Sequence, residues 1–533
     1  SVSAKDGGTF SGTIAAAGYS SSTAGTSNYI AGVNAGNSIT AGGNYNVTVG
    51  DEAGTALTTG DDNTFVGYAA GDATTTATDN VAVGHDAFTA NSTGGDNVAV
   101  GANALMANTT AAGNTGLGYQ ALKTNTEGHS NVAVGKNSLK LGTTGDYNVA
   151  VGMNALDANT TADNNTAVGY DALGANTTGT GNVAVGTNAL DANTTANNNT
   201  AVGKAALGAN TTGADNVAIG AVALDANTTG DNNTAVGQQA LGSNTTADNN
   251  TAVGHDALAA NTEGFNNTAV GSFAMDAVTT GDYNTGLGVF ALTAETTGAG
   301  STALGYGALA TQNSTSSADM QNTAVGREAG TAVTTGIQNT FVGGLAGDSG
   351  TTAANNVIVG YNSDLAAVDT AQVVVLGSGV TSQAANNFTF GFGATDSNIA
   401  FGATSISAPS DVRLKEDIQD ETVGLGFVND LRPVTFQWKK EKDIPEEMKT
   451  HVAGSDTRVM NGKHNHGFIA QEVKAVIDKH EMKDGFDMWS EDPTDGRQRV
   501  GDASLMPIMV KALQELSAKN DALESRLAAL EAK

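Results

Sequence analysis

Small and apolar residues recur along most of this chain with a fixed period. The segment N-x-A-V-G places a glycine at Gly50, Gly67, Gly84, Gly101, Gly118 and onward to Gly305, every step being seventeen residues. After a four-residue insertion around Ser314 to Ala318 the series resumes at Gly326, Gly343, Gly360 and Gly377, which makes twenty registered turns. The unit reads N-[TV]-A-V-G-x-[DN]-A-L-x-A-N-T-T-G-x-x, as in Asn165-Thr-Ala-Val-Gly-Tyr-Asp-Ala-Leu-Gly-Ala-Asn-Thr-Thr-Gly179. It is too short for a helix pair or a propeller blade, and it fits one coil of a parallel β-solenoid with two short strands and two turns. Coils stacked at ~4.8 Å would make twenty of them a rod of about 95 Å.

Side chains alternate along a strand, so Thr166 and Val168 share one face and Ala167 and Gly169 the other. The second face is small in nearly every repeat (Ala82, Ala99, Gly116, Ala133, Ala201, Gly286). That is expected where another wall comes close, either the far side of the same coil or a neighbouring chain. Phe65 and Phe341 break the rule near the two ends, which predicts a cross-section that widens or is capped there. A coil this narrow buries little by itself, so threefold association is expected to supply the missing burial.

The last stretch changes period. Met506, Met509, Leu513, Leu516, Asn520, Leu523, Leu527 and Leu530 are spaced alternately three and four apart, predicting a coiled-coil helix over about 503–532. Asn520 occupies a core position, a device that fixes register at a cost in stability. The alternative is one amphipathic helix packed on its own domain.

Composition divides the chain near residue 409. Six of the 24 Lys and Arg residues precede residue 410, whereas all five Pro and both Trp stand at or beyond residue 409. The expected organisation is an N-terminal cap or connector over 1–45, the repeat shaft over 46–380, a β-rich connector over 381–409, and a separate domain over 410–533. A net charge of −30 leaves the shaft without the cations that replace phosphate counterions, so no nucleic-acid partner is expected. There is no Cys and hence no disulfide, and no apolar run long enough to span a membrane. The chain opens with Ser1 rather than Met, which is read as processing or as an absent N-terminal part. No cofactor and no metal are expected: His464 and His466 have no third ligand nearby in sequence, and acid pairs such as Asp61 and Asp62 lack the glycine-rich nonapeptide of calcium β-rolls. The Asn-Thr-Thr triplets match glycosylation sequons, but they recur because Asn and Thr suit a corner of every coil.

The repeat resembles the left-handed parallel β-roll of trimeric autotransporter adhesin heads, through segments such as Asn131-Val-Ala-Val-Gly135 and Asn216-Val-Ala-Ile-Gly220. Those adhesins end in a membrane-anchoring β-barrel, which is not expected here, so only the roll half of the analogy is carried forward. The end of the chain carries Pro409-Ser-Asp-Val-Arg-Leu-Lys-Glu-Asp-Ile418, then Leu431-Arg-Pro-Val-Thr-Phe-Gln-Trp438, then Gly467-Phe-Ile-Ala-Gln-Glu-Val473, then the helix. In order and spacing these resemble the endosialidase-type intramolecular chaperone, the self-cleaving domain at the end of many phage tail fibres and spikes. The resemblance implies Ser410 as nucleophile, Lys415 as base, Asp411 and Arg413 in support, and cleavage of the Pro409–Ser410 bond to leave 1–409 as the mature fibre. It also implies a homotrimer.

The expected fold is therefore mainly β, a parallel β-solenoid or β-roll of 17-residue coils, trimeric, followed by a small α+β chaperone domain ending in a coiled-coil helix. The expected function is a structural, host-surface-binding fibre in the virion tail, with a cell-surface receptor or glycan and other tail proteins as partners, the latter through an N-terminal region. Its one reaction would be autoproteolysis. Two alternatives share the parts: a glycan-degrading tailspike and a bacterial surface adhesin. A glycosidase needs two carboxylates about 5 to 10 Å apart, usually with aromatic platforms, and the shaft has no Trp. Ice binding is disfavoured, because adjacent threonines do not point both hydroxyls from one face.

Overall fold

A computed structural model describes residues 19–20, 24–314, 319–403, 406–407, 410, 412–446, 448, 450–460, 462–482, 488–492, 496–501 and 504–532. The chain divides into two compact units, 1–409 and 410–533.

The first unit is a parallel β-solenoid. Twenty-two strands, from Tyr29–Ala31 to Asn387–Phe392, stack in sequence order, and most steps pair residue i with residue i+17, as Thr166 with Val183. The first step is longer, Tyr29 with Val47, so the stack begins before residue 46. The coil holding the insertion pairs Thr302 with Thr323, and the last step is short, Val373 with Asn387. Residues 315–318 of that insertion lie outside the described residues. Both ends carry an antiparallel strand, Tyr19–Ser20 on the first and Ser397–Ala400 on the last. Pairing of this kind closes edges that would otherwise template further chains.

Each coil contains one strand, not two. The side carrying the A-L pair places Asp171 at φ 50° and Leu173 at φ 54°, outside the β region, and this recurs along the stack. Its backbone nonetheless bonds to the next coil, with Leu173 N donating to Ala189 O at 2.9 Å and Thr177 N to Thr194 O at 2.9 Å. Left-handed backbone at a bulky residue costs energy. The return is burial of the leucine, worth about 2 kcal/mol per coil. Repeat glycines serve the close approach between coils: at Gly169, φ is +142° and a Cβ would stand 2.4 Å from Gly186 O.

The close wall is the coil's own far side. Ala167 and Leu173 are both fully buried, and a Cβ on Gly116 would stand 3.3 Å from Ala121 O and 3.4 Å from Leu105 Cγ. Phe65 and Phe341 do not widen the section. Each is fully buried and fills space vacated at the leucine position, Phe65 beside Gly54 and Gly71, Phe341 beside Gly330 and Gly347. Bulk has moved from one wall to the other.

Two buried asparagine ladders complete the interior. Asn182 N donates to Asn165 Oδ1 at 3.0 Å, and Asn182 Nδ2 to Ala196 O at 2.8 Å. From the Asn-Thr-Thr corner, Asn193 Nδ2 donates to Asn176 Oδ1 at 2.9 Å and to the same Ala196 O at 3.1 Å. One carbonyl per coil thus accepts from both ladders. The sequon asparagines Asn159, Asn176 and Asn193 are fully buried, which agrees with reading them as structural. At the enlarged coil the chemistry changes but the connection holds. Glu295 replaces Asn and accepts from Gly298 N at 2.7 Å and Gln312 Nε2 at 2.9 Å, while Gln312 also donates to Ser301 Oγ at 3.0 Å.

The second unit is a small α+β assembly. Helix α1 (Leu425–Asp430) precedes a strand, Val434–Phe436, that pairs antiparallel with Asn465–Gly467. Helix α2 (Ala470–Lys479) follows, then an antiparallel pair, Trp489–Glu491 with Gln498–Val500, then helix α3 (Leu505–Glu531). Phe427, Val473, Ile477, Met488, Leu505 and Ile508 form its core.

Candidate self-processing site

Ser410 is the first residue of the second unit. A single 3₁₀ turn, Val412–Leu414, folds the chain back, with Lys415 N donating to Val412 O at 3.2 Å. That reversal brings the two ends of the segment together: Lys415 Nζ donates to Ser410 Oγ at 2.7 Å. Both side chains are exposed in the single chain, as is Arg413 within the turn. Pro409 and Asp411 lie outside the described residues. A hydroxyl this close to an amine can lose its proton to it, provided the amine is neutral.

The surrounding motifs meet in space. Arg432 donates from Nε to Glu472 Oε2 at 2.9 Å and from its terminal nitrogen to Glu472 Oε1, a two-pronged pair that ties the Leu431–Trp438 segment to the start of α2. The guanidinium holds the Glu472 carboxyl below its ordinary range. Asp430 at the end of α1 accepts from Lys479 Nζ at 2.8 Å and lies 2.6 Å from His480 Nε2, and these hydrogen bonds hold its carboxyl low as well. His466 sits in the strand opposite Thr435, and His464 Nδ1 lies 3.5 Å from Gln437 Nε2. Among the described residues no group of three or more metal-binding side chains comes together.

Residues 410–481 match the family model described as chaperone of endosialidase. The chaperone match begins at Ser410 and takes in the Ser410–Lys415 turn, α1 and α2. Comparison with curated proteins and with solved structures found no match for the chain. A β-solenoid shaft followed by this chaperone region fits a protein of the tail-fibre or spike type, and the chaperone family implies trimeric assembly in general. Among the described residues no helix is long and apolar enough to cross a membrane.

Helix α3 shows two faces. Leu505 and Ile508 belong to the unit's own core and Ala512 is also buried, all three off the heptad positions. The heptad positions Met506, Leu513, Leu523, Leu527 and Leu530 are all exposed by more than half. With Leu425 and Val428 of α1, Met506, Met509, Leu513 and Leu516 line an apolar groove. Asn520 is exposed, its Nδ2 donating to Glu524 Oε1 at 2.9 Å.

One contact had no sequence signal. α1 begins at Gly424 without a side-chain cap, and Glu515, ninety residues on, accepts from Leu425 N at 2.9 Å. A carboxylate at a helix N-terminus satisfies a free N–H and meets the positive end of the dipole. Nothing local marks Glu515 for this role.

Proposed function

We propose that this chain is a homotrimeric fibre of the phage tail type, whose shaft engages a host surface receptor or glycan and whose C-terminal region aligns three chains and then cuts itself away before Ser410. The observation that carries the reading is the 2.7 Å contact between Lys415 Nζ and Ser410 Oγ at the start of the chaperone match. In the reaction, Ser410 Oγ attacks the Pro409 carbonyl carbon and gives its proton to the Lys415 amine. The C–N bond breaks, the amine returns the proton to the departing Ser410 nitrogen, and water hydrolyses the resulting ester to free the Pro409 carboxylate.

A lysine amine acts as a base only when neutral, and removal from water favours that form. In the single chain both groups are exposed. Water exclusion therefore comes from the other two chains, and cleavage reports completed assembly. The uncovered heptad face of α3 supports association through that helix.

Intact mass analysis and a denaturing gel test the mechanism. Wild type should yield 1–409 and 410–533, while Ser410→Ala and Lys415→Ala stay at full length and still assemble. A wild-type chain that remains whole under assembling conditions, or a Ser410→Ala chain that still splits there, rules the mechanism out.

A further inference from the structure

Aromatic side chains gather on one short stretch of the solenoid. Between Tyr170 and Phe265 the chain has no Phe, Tyr or Trp, and then Phe265, Phe273, Tyr283, Phe290 and Tyr306 follow in quick succession. On one edge of these coils the rings form a row. His255 and Phe273 have centroids 5.3 Å apart, Phe273 and Phe290 5.5 Å, and Phe290 and Tyr306 6.0 Å, so each of four consecutive coils supplies one ring. Phe265 and Tyr283 make a second pair at 5.2 Å, at the opposite end of the strands Thr268–Val270 and Thr285–Leu287. Elsewhere the exposed rings are scattered. Tyr68 stacks on His85 alone at 5.2 Å, and Tyr119, Tyr147, Tyr170 and Tyr361 have no aromatic neighbour among the described residues.

The fold does not ask for this row. Phe273 and Phe290 have φ 56° and 59°, left-handed backbone that Asn and Asp tolerate and a bulky ring does not favour. The same place in other coils is mostly Asn, Asp, Gln or Glu, as at Asn137, Asn154 and Asp171, and no other coil puts an aromatic there. Phe290 is also 38% exposed and Tyr306 51%, although water offers a phenyl ring no hydrogen bond. Strained backbone and exposed apolar surface at the same positions mark them as kept for contact with something outside the coil.

The surroundings of the row select the ligand. Between Lys204 and Arg327 there is no Lys or Arg, while Asp256 Oδ2 lies 3.0 Å from His255 Nδ1 and Asp276 accepts from Thr293 Oγ1 one coil on. An anionic polymer or lipid headgroup would meet only repulsion here. Carboxylates accept from sugar hydroxyls, and aromatic carbon packs against sugar C–H groups. Rings at near-equal steps along the solenoid match a chain of sugar units, which follow one another at a similar repeat. A single small sugar would use only one or two of them. A row one side chain wide is also far from the ~800 Å² that a protein partner buries.

We infer that the edge carrying His255, Phe273, Phe290 and Tyr306 is a binding site for a linear, uncharged polysaccharide laid along the shaft. The inference rests on the reading that the shaft engages a surface glycan, and adds where it does so and which class of glycan it takes. Phe273 and Phe290, at the centre of the row, supply the stacking surface, and Asp256 and Asp276 accept from the hydroxyls of the chain.

Full-length wild type, Phe273→Asn/Phe290→Asn and Tyr147→Asn chains are compared on an array of neutral and acidic oligosaccharides, with melting midpoint and light scattering measured alongside. Wild type and Tyr147→Asn should bind neutral chains long enough to cover the row and not uronate or sialylated ones. The double variant should bind about tenfold or more weakly. Its assembly size should be unchanged and its midpoint unchanged or raised, since Asn suits the left-handed backbone. A double variant that binds as wild type does, or a wild type that prefers acidic glycans, overturns the site and leaves the glycan reading standing. A double variant that melts lower or changes its assembly size makes the row a packing or association device and overturns the site as well. A wild-type chain that binds no glycan removes the glycan reading and the site with it.

Discussion

Phe341 occupies the room that Gly347 leaves empty: a Cβ on that glycine would stand 2.3 Å from Phe341 Cδ1. The two positions are opposite walls of the stack, and the usual occupants are alanine and leucine. Gly347 has φ +64°, close to the +54° of Leu173 at the equivalent place, so its backbone already suits a leucine. Only the ring stands in the way.

Gly347→Leu alone should therefore destabilise the shaft by overpacking, by about 1–3 kcal/mol or more. Phe341→Ala alone should cost about 3–5 kcal/mol through the cavity it opens. Combining both should recover part of the loss, and adding Gly330→Leu should recover more, the remainder being set by Ile358, which still stands where the repeat has alanine. Additive effects in calorimetry would contradict the exchange of bulk between walls.

The asparagine ladder makes a different prediction. Asn182→Ala leaves Asn199 N, which donates to Asn182 Oδ1 at 2.9 Å, without its acceptor, and removes one of the two donors to Ala196 O. Stranding buried groups costs about 1–3 kcal/mol each. A fall in the shaft's thermal midpoint is expected, together with faster amide exchange at Asn199 than at Asn216. Unchanged exchange at Asn199 would mean the ladder does not carry the backbone.

Much of this is legible from the chain. The period shows because a side chain at Gly169 would strike the next coil, whereas Ser410 and Lys415 are picked out only through the resemblance of the motifs around them, a Ser followed by a Lys five residues later carrying no signal of its own. The leucine wall reads wrongly as a second strand, since Leu173 bears no local mark of a left-handed backbone that bulky residues usually avoid. Phe341 looks like widening because its compensation sits at Gly330 and Gly347, on the other wall. The inner face of α3 is hidden by its stronger heptad, and the Glu515 cap on α1 by the length of chain between them.

The two units should respond oppositely to acid. On the shaft, burial is the main cause that pushes the carboxyls of Asp72, Asp157, Asp191 and Asp225 above their ordinary value of 3.8. The folded shaft then binds protons more readily than the unfolded chain, so its stability rises as pH falls through those raised values and levels off below 3.8. In the second unit Lys440 and Lys442 hold Asp456 down to about 2, and Asp430 and Glu472 are lowered too. Their contribution is present above the ordinary carboxylate range and fades as pH falls toward about 2. Both Trp lie in the second unit, so Trp fluorescence reports its melting while far-ultraviolet dichroism is dominated by the shaft. Between pH about 5 and 2 the Trp midpoint should drop and the dichroism midpoint should not follow it. Asp191→Asn should raise shaft stability at neutral pH, and Asp456→Asn should flatten the acid limb seen by Trp.

Asn520 tests the association of the C-terminal helix. It sits between Leu516 and Leu523 on the exposed heptad face of α3, and in the single chain its amide reaches along its own helix, to Glu524 Oε1. In a parallel bundle the same amide would face its counterparts at a core layer, where it costs stability and penalises any slipped alignment. Asn520→Leu should raise the melting midpoint of the second unit by on the order of 5 °C. It should also broaden the assembled species in light scattering, because an all-apolar seam tolerates shifted registers. An Asn520→Leu chain with unchanged stability and unchanged assembly would show that position 520 faces solvent in the assembled protein, and that the seam ends before it.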